Sequence, residues 1–503
     1  MVALGERLTL EDVVAVARGA RVTFGEEARS RVRAARDVVE AVVTSGATVY
    51  GITTGFGALA DTRIDPAEAA ELQHRIVRSH ATAVGRPLSR EEARAMLALR
   101  AHVLALGHSG VRPDVIELMV ELLNRDVIPL VPEQGSLGAS GDLAPLAALA
   151  LPLIGSGEVL RDGGTEPAVE ALRREGLSPL VLAAKEGLAL VNGTQGMLAV
   201  GTLAAARVEN LCRTADVAAA MSVEAALGTD APFDERLQML RPHQGQAVSA
   251  ANLRRLLEAS GILASHRDSP HLVQDAYSLR CAPQVHGAAR DVVAFARGIL
   301  ETEVNSVSDN PIVLPESGDV RSGGNFHGQP VAVALDALAL ATVGLASICE
   351  RRLFRLLDTK LSNGLPAFLV EGSGLNSGLM LAQYTAASIV SECKALAHPA
   401  SVDSITSSAG QEDHVSIGMT SARHARDVVA NAEIVVAIEA LAAAQALDLR
   451  APLRPAPATA AARDAIRSRV AFLAEDRELR PDIDAVAELV RDGSLAAAAG
   501  VTH

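Results

Sequence analysis

Residues 337–348 read ALALATVGLASI, twelve residues without a charge, bracketed by Asp336 and Glu350. The run is too short to cross a bilayer. A helix that is apolar all round belongs in a large core or an oligomer interface. Working outward, Ala/Leu/Val-rich text recurs at 196–207, 331–349, 379–397 and 419–449. Each run has the length of a helix rather than a strand. No fixed-period repeat is visible. The chain therefore reads as mainly α, with a long helical bundle over 193–450.

The text before the bundle is different. Thr9 to Asp12 has the spacing of a capping box at the start of a short helix. Residues 27–44 and 90–106 have helical spacing. Between them, YGITTGFGALADT (50–62) combines glycines and β-branched residues that oppose a helix, and VPEQGSLGASGD (131–142) is a second glycine-rich loop. This part, 1–192, is read as an N-terminal loop-bearing domain. After the bundle, PLRPAPATAA (452–461) reads as a connector, followed within 451–503 by a helical tail.

Composition narrows the function. The net charge of −14 disfavours a nucleic-acid partner. Only three of the 46 basic residues are lysines, Lys185, Lys360 and Lys394, which leaves few candidates for a pyridoxal phosphate Schiff base. Cys212, Cys281, Cys349 and Cys393 are far apart, so neither a disulfide framework nor a zinc spacing is expected. The first residues, MVALGERLTLEDVV, lack the apolar core of a signal peptide, and a cytoplasmic protein with no membrane partner is expected. With no Trp, eight Phe and three Tyr, the core must be packed with Ala, Leu and Val, whose small members let helices approach closely.

The stretch that carries chemistry is GSLGASGDLAPLAAL (135–149). Its plain reading is a tight turn and a helix start, with Asp142 as cap and Pro145 in the first turn. A second reading is available. If the chain bends tightly, the Gly141 amide nitrogen can attack the Ala139 carbonyl, since glycine permits the bend. Loss of that water and of another from Ser140 leaves a five-membered imidazolone carrying a conjugated methylidene. The product is an electrophile, beside a helix N-terminus whose dipole favours developing negative charge.

The string Gly135–Pro145 resembles the signature of the aromatic amino acid ammonia-lyases and aminomutases, in which it forms 4-methylidene-imidazol-5-one (MIO). YGITTGFG (50–57), EGLALVNGT (186–194), QDAYSLRCAPQ (274–284), SDNP (308–311), GGNFHG (323–328) and QEDHVS (411–416) resemble further family blocks, in order. The resemblance implies a histidine/phenylalanine ammonia-lyase-like fold of the fumarase/aspartase-like superfamily. It also implies an autocatalytic MIO from Ala139, Ser140 and Gly141, with no pyridoxal phosphate, nucleotide or metal. It makes Tyr50 the base for the β-proton, which a phenol can be only as phenolate, on a loop that Gly51, Gly55 and Gly57 would let move as a lid. Tyr277 becomes a donor to the MIO or the developing anion, and Arg280 the bidentate grip on the substrate carboxylate. Asn192 and Phe326 line the MIO, and Gln274 and Gln284 orient. At about 100° per residue, 274, 277, 280 and 284 would share one helix face, although Pro283 opposes a regular helix through the end of the block.

Two places bear on the substrate. Ser79-His80 and Glu412-Asp413-His414 resemble the histidine-lyase versions of their blocks. Imidazole nitrogens need polar partners when buried. Glu412 and His80 could supply them, whereas a phenyl ring would leave a buried carboxylate unpaired; Glu412 could also serve as acid or base. Packing alone is the other reading of His80 and His414. Gly410, His286 and Gln329 depart from the family pattern and put rate rather than identity in doubt. The resemblance implies ammonia elimination from L-histidine to trans-urocanate by a homotetramer with shared sites. The alternatives are a phenylalanine or tyrosine lyase or 2,3-aminomutase, a non-catalytic helical scaffold, and a fumarase-like lyase without MIO.

Overall fold

The computed structural model describes residues 1–55, 64, 68–269 and 273–502. They pack into two compact units, each assembled from three stretches of chain. One is Met1–Leu203, Arg297–Asp336 and Pro399–Arg423; the other is Ala204–Ala296, Ala337–His398 and His424–His503. The segments 1–192, 193–450 and 451–503 are a division along the sequence. Each packing unit instead draws its three stretches from different parts of the chain.

The first unit is organised on helix Arg90–Ala105. Ser89 and Glu92 close a capping box at its start, and every residue from Glu92 to Ala105 is buried. Alanines at 93, 95, 98, 101 and 105 let neighbours come close, and helices Leu10–Ala17, Glu26–Ser45 and Pro113–Asn124 pack on it. The capping box expected at Thr9 and Asp12 is formed. Short sheets, which the sequence reading does not include, fill the edges. One is an antiparallel set joining Ile128–Pro129, Glu158–Arg161 and Gly164–Pro167 in that order, with Val159 opposite Glu166. Another pairs Val84–Pro87 with Pro132–Gln134, setting Val84 opposite Gln134. That pairing draws the end of helix Ala69–His80 towards the loop at 135–141.

The apolar runs are helices, Gln195–Ala225, Gln329–Leu357, Met380–Leu396 and Gly418–Leu449, the first two much longer than the runs that announced them. Gln329–Leu357 has 29 residues and a peak mean hydropathy of 2.1, long and apolar enough to cross a membrane by composition; 61% of that window is buried within the chain. Val333, Leu340 and Phe354 on it are exposed. Phe233 is the one phenylalanine in the core among the described residues. The second unit also buries charge. Arg352 and Glu439 form a wholly buried ion pair, Ser222 donates to Glu439, and Arg352 reaches His286 Nε2 at 3.2 Å. His286, unexpected in the sequence, is held on its other face by Asp216 at 2.7 Å.

Two local expectations are corrected. The connector at 452–461 is shorter, because helix Pro457–Arg467 starts on Pro457, which suits a first helical position. The four residues at 274, 277, 280 and 284 do not share one helix. Helix Tyr277–Arg280 has a single turn, Cys281 breaks it, and Ala282–Val304 begins afresh with Pro283 in its first turn.

Candidate active site

Three helices meet at the glycine-rich loop, and each delivers a residue from an end. Leu143–Ala150 starts just after the tripeptide, Ala69–His80 ends on His80, and Glu186–Val191 ends at Asn192. The three pack on one another. Gln73 fastens two of them: it is wholly buried, and its Oε1 accepts from Gly187 N at 2.8 Å and Leu188 N at 3.3 Å.

The tripeptide itself bends over 138–140. Gly141 has φ +75°, and a Cβ there would lie 2.0 Å from the Gly193 carbonyl oxygen. Glycine is therefore required for backbone approach as well as for any ring closure. Asp142 N donates to the same Gly193 oxygen at 2.7 Å. Asp142 does not cap its own helix, which corrects the sequence reading. Its carboxylate turns away, accepting from Met197 N and from Ser136 Oγ, each at 2.7 Å. It thereby caps the start of Gln195–Ala225, and burial pushes its carboxyl up to about 6.

Ser140 stands between two side chains. Its hydroxyl donates to Glu412 Oε1 at 3.1 Å, and its carbonyl accepts from Asn192 Nδ2 at 3.1 Å. Glu412 is oriented by Ser407, whose hydroxyl donates to Oε2 at 2.9 Å. Asn192 Oδ1 is buried without a hydrogen-bond partner among the described residues. His80 Nδ1 lies 2.9 Å from the Ile76 carbonyl. That contact assigns the proton to Nδ1 and leaves Nε2 as an acceptor.

These groups open on one cavity of about 900 Å³, lined by Tyr50, His80, Ala139, Ser140, Asn192, Phe326 and Glu412. Seven of the expected site residues thus converge, with Gly141 directly behind them. The sequence reading missed Asn310 and His327, which also line the wall. It left His414 open; His414 lies there too, its ring parallel to that of His327 with centroids 5.8 Å apart. Asn310 sits in the SDNP block and His327 in GGNFHG, so block membership was the available signal. Of the expected lid, Gly51 and Gly55 are buried, and Gly57 lies outside the described residues.

Gln274, Tyr277, Arg280 and Gln284 belong to the second unit and do not line this cavity. Tyr277 is 71% exposed, and the Arg280 guanidinium lies 4.5 Å from its ring centroid. Arg280 Nε and Gln284 Oε1 are buried without hydrogen-bond partners among the described residues.

A tight glycine-flanked bend, a serine between a carboxylate and an amide, and an aromatic-walled cavity define a class, and the sequence matches it. Residues 8–468 match the aromatic amino acid lyase family, and the chain belongs to that family. It is 57% identical to the histidine ammonia-lyase of Anaeromyxobacter sp. (strain K), over 98% of each chain. Among solved structures it resembles the histidine ammonia-lyase of Trypanosoma cruzi, with a TM-score of 0.92, 45% identity and coverage of 99% of this chain and 95% of that one. The tyrosine aminomutase of Streptomyces globisporus is similar at a TM-score of 0.94 and 40% identity, with 99% and 98% covered.

Proposed function

We propose that the chain is a carbon–nitrogen lyase that eliminates ammonia from L-histidine to give trans-urocanate. The observation that carries this reading is the cavity in which the Ser140 side chain meets Glu412, with His80 on the same wall. Tyrosine aminomutases share the fold, so the backbone alone does not choose a substrate. The polar wall does. The Glu412 carboxylate can accept from the N–H of an imidazole and His80 adds a second polar group on the same wall, whereas a phenyl ring would leave both without a partner.

The tripeptide suits dehydration to MIO. Ser140 is placed at a bend, its carbonyl has a donor in Asn192, and its side chain faces the cavity rather than the core. Asn192 and Phe326 would hold and wall the group, which supplies an electrophile that activates the substrate for loss of ammonia. The remaining work falls to the chain's own residues. Tyr50 takes the β-proton from the substrate in the cavity. Asn192 donates to the carbonyl of residue 140, where negative charge is best stabilised. Glu412 and His80 fix the imidazole, and Glu412 exchanges protons with it. The fork of Arg280 suits the substrate carboxylate. Since Tyr277, Arg280, Gln274 and Gln284 do not line the cavity of the first unit, they are read as reaching the cavity of a neighbouring chain in a homotetramer. A cytoplasmic location completes the proposal.

The test is ultraviolet monitoring of urocanate from L-histidine, with L-phenylalanine and L-tyrosine in parallel and Ser140→Ala as control. Urocanate from the unaltered chain alone supports the reading. Turnover of the other two amino acids without histidine turnover would move the assignment elsewhere in the family.

A further inference from the structure

Arg100, with Arg352, is among the largest fully buried side chains of the described residues, and it lies on the central helix Arg90–Ala105. Its Nη1 donates to the Asn192 carbonyl at 2.8 Å and to Gln195 Oε1 at 2.7 Å, and its Nη2 donates to the Ala189 carbonyl. Gln195 is in turn held by its Nε2 to Ser308 Oγ at 2.7 Å. One guanidinium thus satisfies carbonyls at the C-terminal end of helix Glu186–Val191 and ties them to the first turn of Gln195–Ala225. The fit is close, since a Cβ on Gly193 would lie 2.5 Å from Arg100 Nη1.

The turn so held is the one that serves the tripeptide. Asn192 Nδ2 donates to the Ser140 carbonyl, and the Gly193 carbonyl accepts from Asp142 N. Arg100 is two hydrogen bonds from the reacting segment and does not line the cavity itself. Burial of an arginine is costly unless its donors are used. Here Arg100 Nε has no partner among the described residues, while every bond the guanidinium makes converges on the Asn192 turn. A second cation lies nearby: Lys185 pairs with Asp309 at 2.8 Å, both wholly buried. Asp309 opposes the desolvation of both cations, yet burial still draws the Arg100 guanidinium down to about 10.

We propose that Arg100 is a positioning residue for the reaction: by gripping both sides of the Asn192 turn it fixes the Asn192 amide on the Ser140 carbonyl, and its buried charge favours negative charge on that oxygen. This rests on the reading of Ser140 as part of the reacting group. Arg100→Lys keeps the charge but cannot span three acceptors.

The measurement is kcat and KM for L-histidine, with intact mass and the near-ultraviolet band of the dehydrated tripeptide, for the unaltered chain, Arg100→Lys and Asn192→Ala. In Arg100→Lys kcat should fall about 100-fold with KM within about threefold, as for loss of a supporting contact to a charge-stabilising donor. Its mass should stay two waters short, and its band should move in the direction seen in Asn192→Ala. If Arg100→Lys does not accumulate folded, Gln195→Met, which frees one side of the guanidinium, carries the same test with a loss of about tenfold. An unmoved band or an unchanged kcat overturns the role of Arg100. An unaltered chain at full sequence mass overturns the tripeptide reading and this proposal with it.

Discussion

At the scale of single residues the site depends on where side chains cannot be. Gly193 has φ +153°, and a Cβ there would lie about 2.5 Å from Gln195 Oε1, Arg100 Nη1 and the Ser308 carbonyl at once. Gly193→Ala is therefore expected to cost about 3 kcal/mol or more by overpacking and strain, read as a fall in the denaturant midpoint with loss of activity. Glu412 tests specificity. Glu412→Gln keeps the size but exchanges an acceptor for a donor, and kcat/KM for L-histidine should fall about 100-fold or more, the scale on which a mismatched polar group is rejected. Folding and the two-water mass deficit should survive; an unchanged kcat/KM would remove Glu412 from substrate recognition.

At this scale the sequence is legible where a residue sits in a block that resembles a family motif. Tyr50 and Asn192 could be named from that resemblance, Ser140 and Glu412 from the resemblance together with the chemistry open to them, and the structure brings the four to one cavity. Arg100 and Gln73 could not be named. Their roles come from burial against backbone carbonyls and amides, and no spacing in the sequence encodes which backbone group a buried side chain will meet.

At the scale of elements, periodicity located the long helices, and it missed what depends on partners. The short strands are two to four residues long, too brief for alternation to register, and they form because distant segments are brought alongside. Asp142 shows the same limit. Its position before a helix suggested capping of that helix, but the acceptor is used by Met197 N, 55 residues away. This has a pH consequence. The Asp142 carboxyl is raised from 3.8 to about 6 by burial. An acid with a raised folded-state value favours folding when protonated, so its contribution is fully present below 3.8 and is lost as pH rises through about 6. Relative to Asp142→Asn, the unaltered chain should gain about 2 to 3 kcal/mol between pH 7 and pH 3.5. Paired urea melts across that range measure it; a difference that is flat or of opposite sign would mean the carboxylate is better solvated than its burial implies.

At the scale of the whole molecule, the fold class was legible from apolar runs, because a helix apolar all round can only be buried or paired. The division into two units was not legible, since composition does not report that 297–336 and 399–423 return to the first unit. The proposed sharing of sites makes a prediction here. Ser140→Ala and Arg280→Ala chains, each inactive alone, should regain part of the activity when refolded together, because a mixed tetramer can hold a site with both residues intact. Activity no greater than the sum of the separate preparations would confine each site to one chain.

The central claim is that Ala139, Ser140 and Gly141 become an electrophile, and intact-mass measurement of the purified protein tests it most directly. The account predicts a chain lighter than its sequence by two waters, and a Ser140→Ala chain that lacks this full deficit and does not release urocanate from L-histidine. An unaltered chain at full sequence mass that still turns over L-histidine would contradict it.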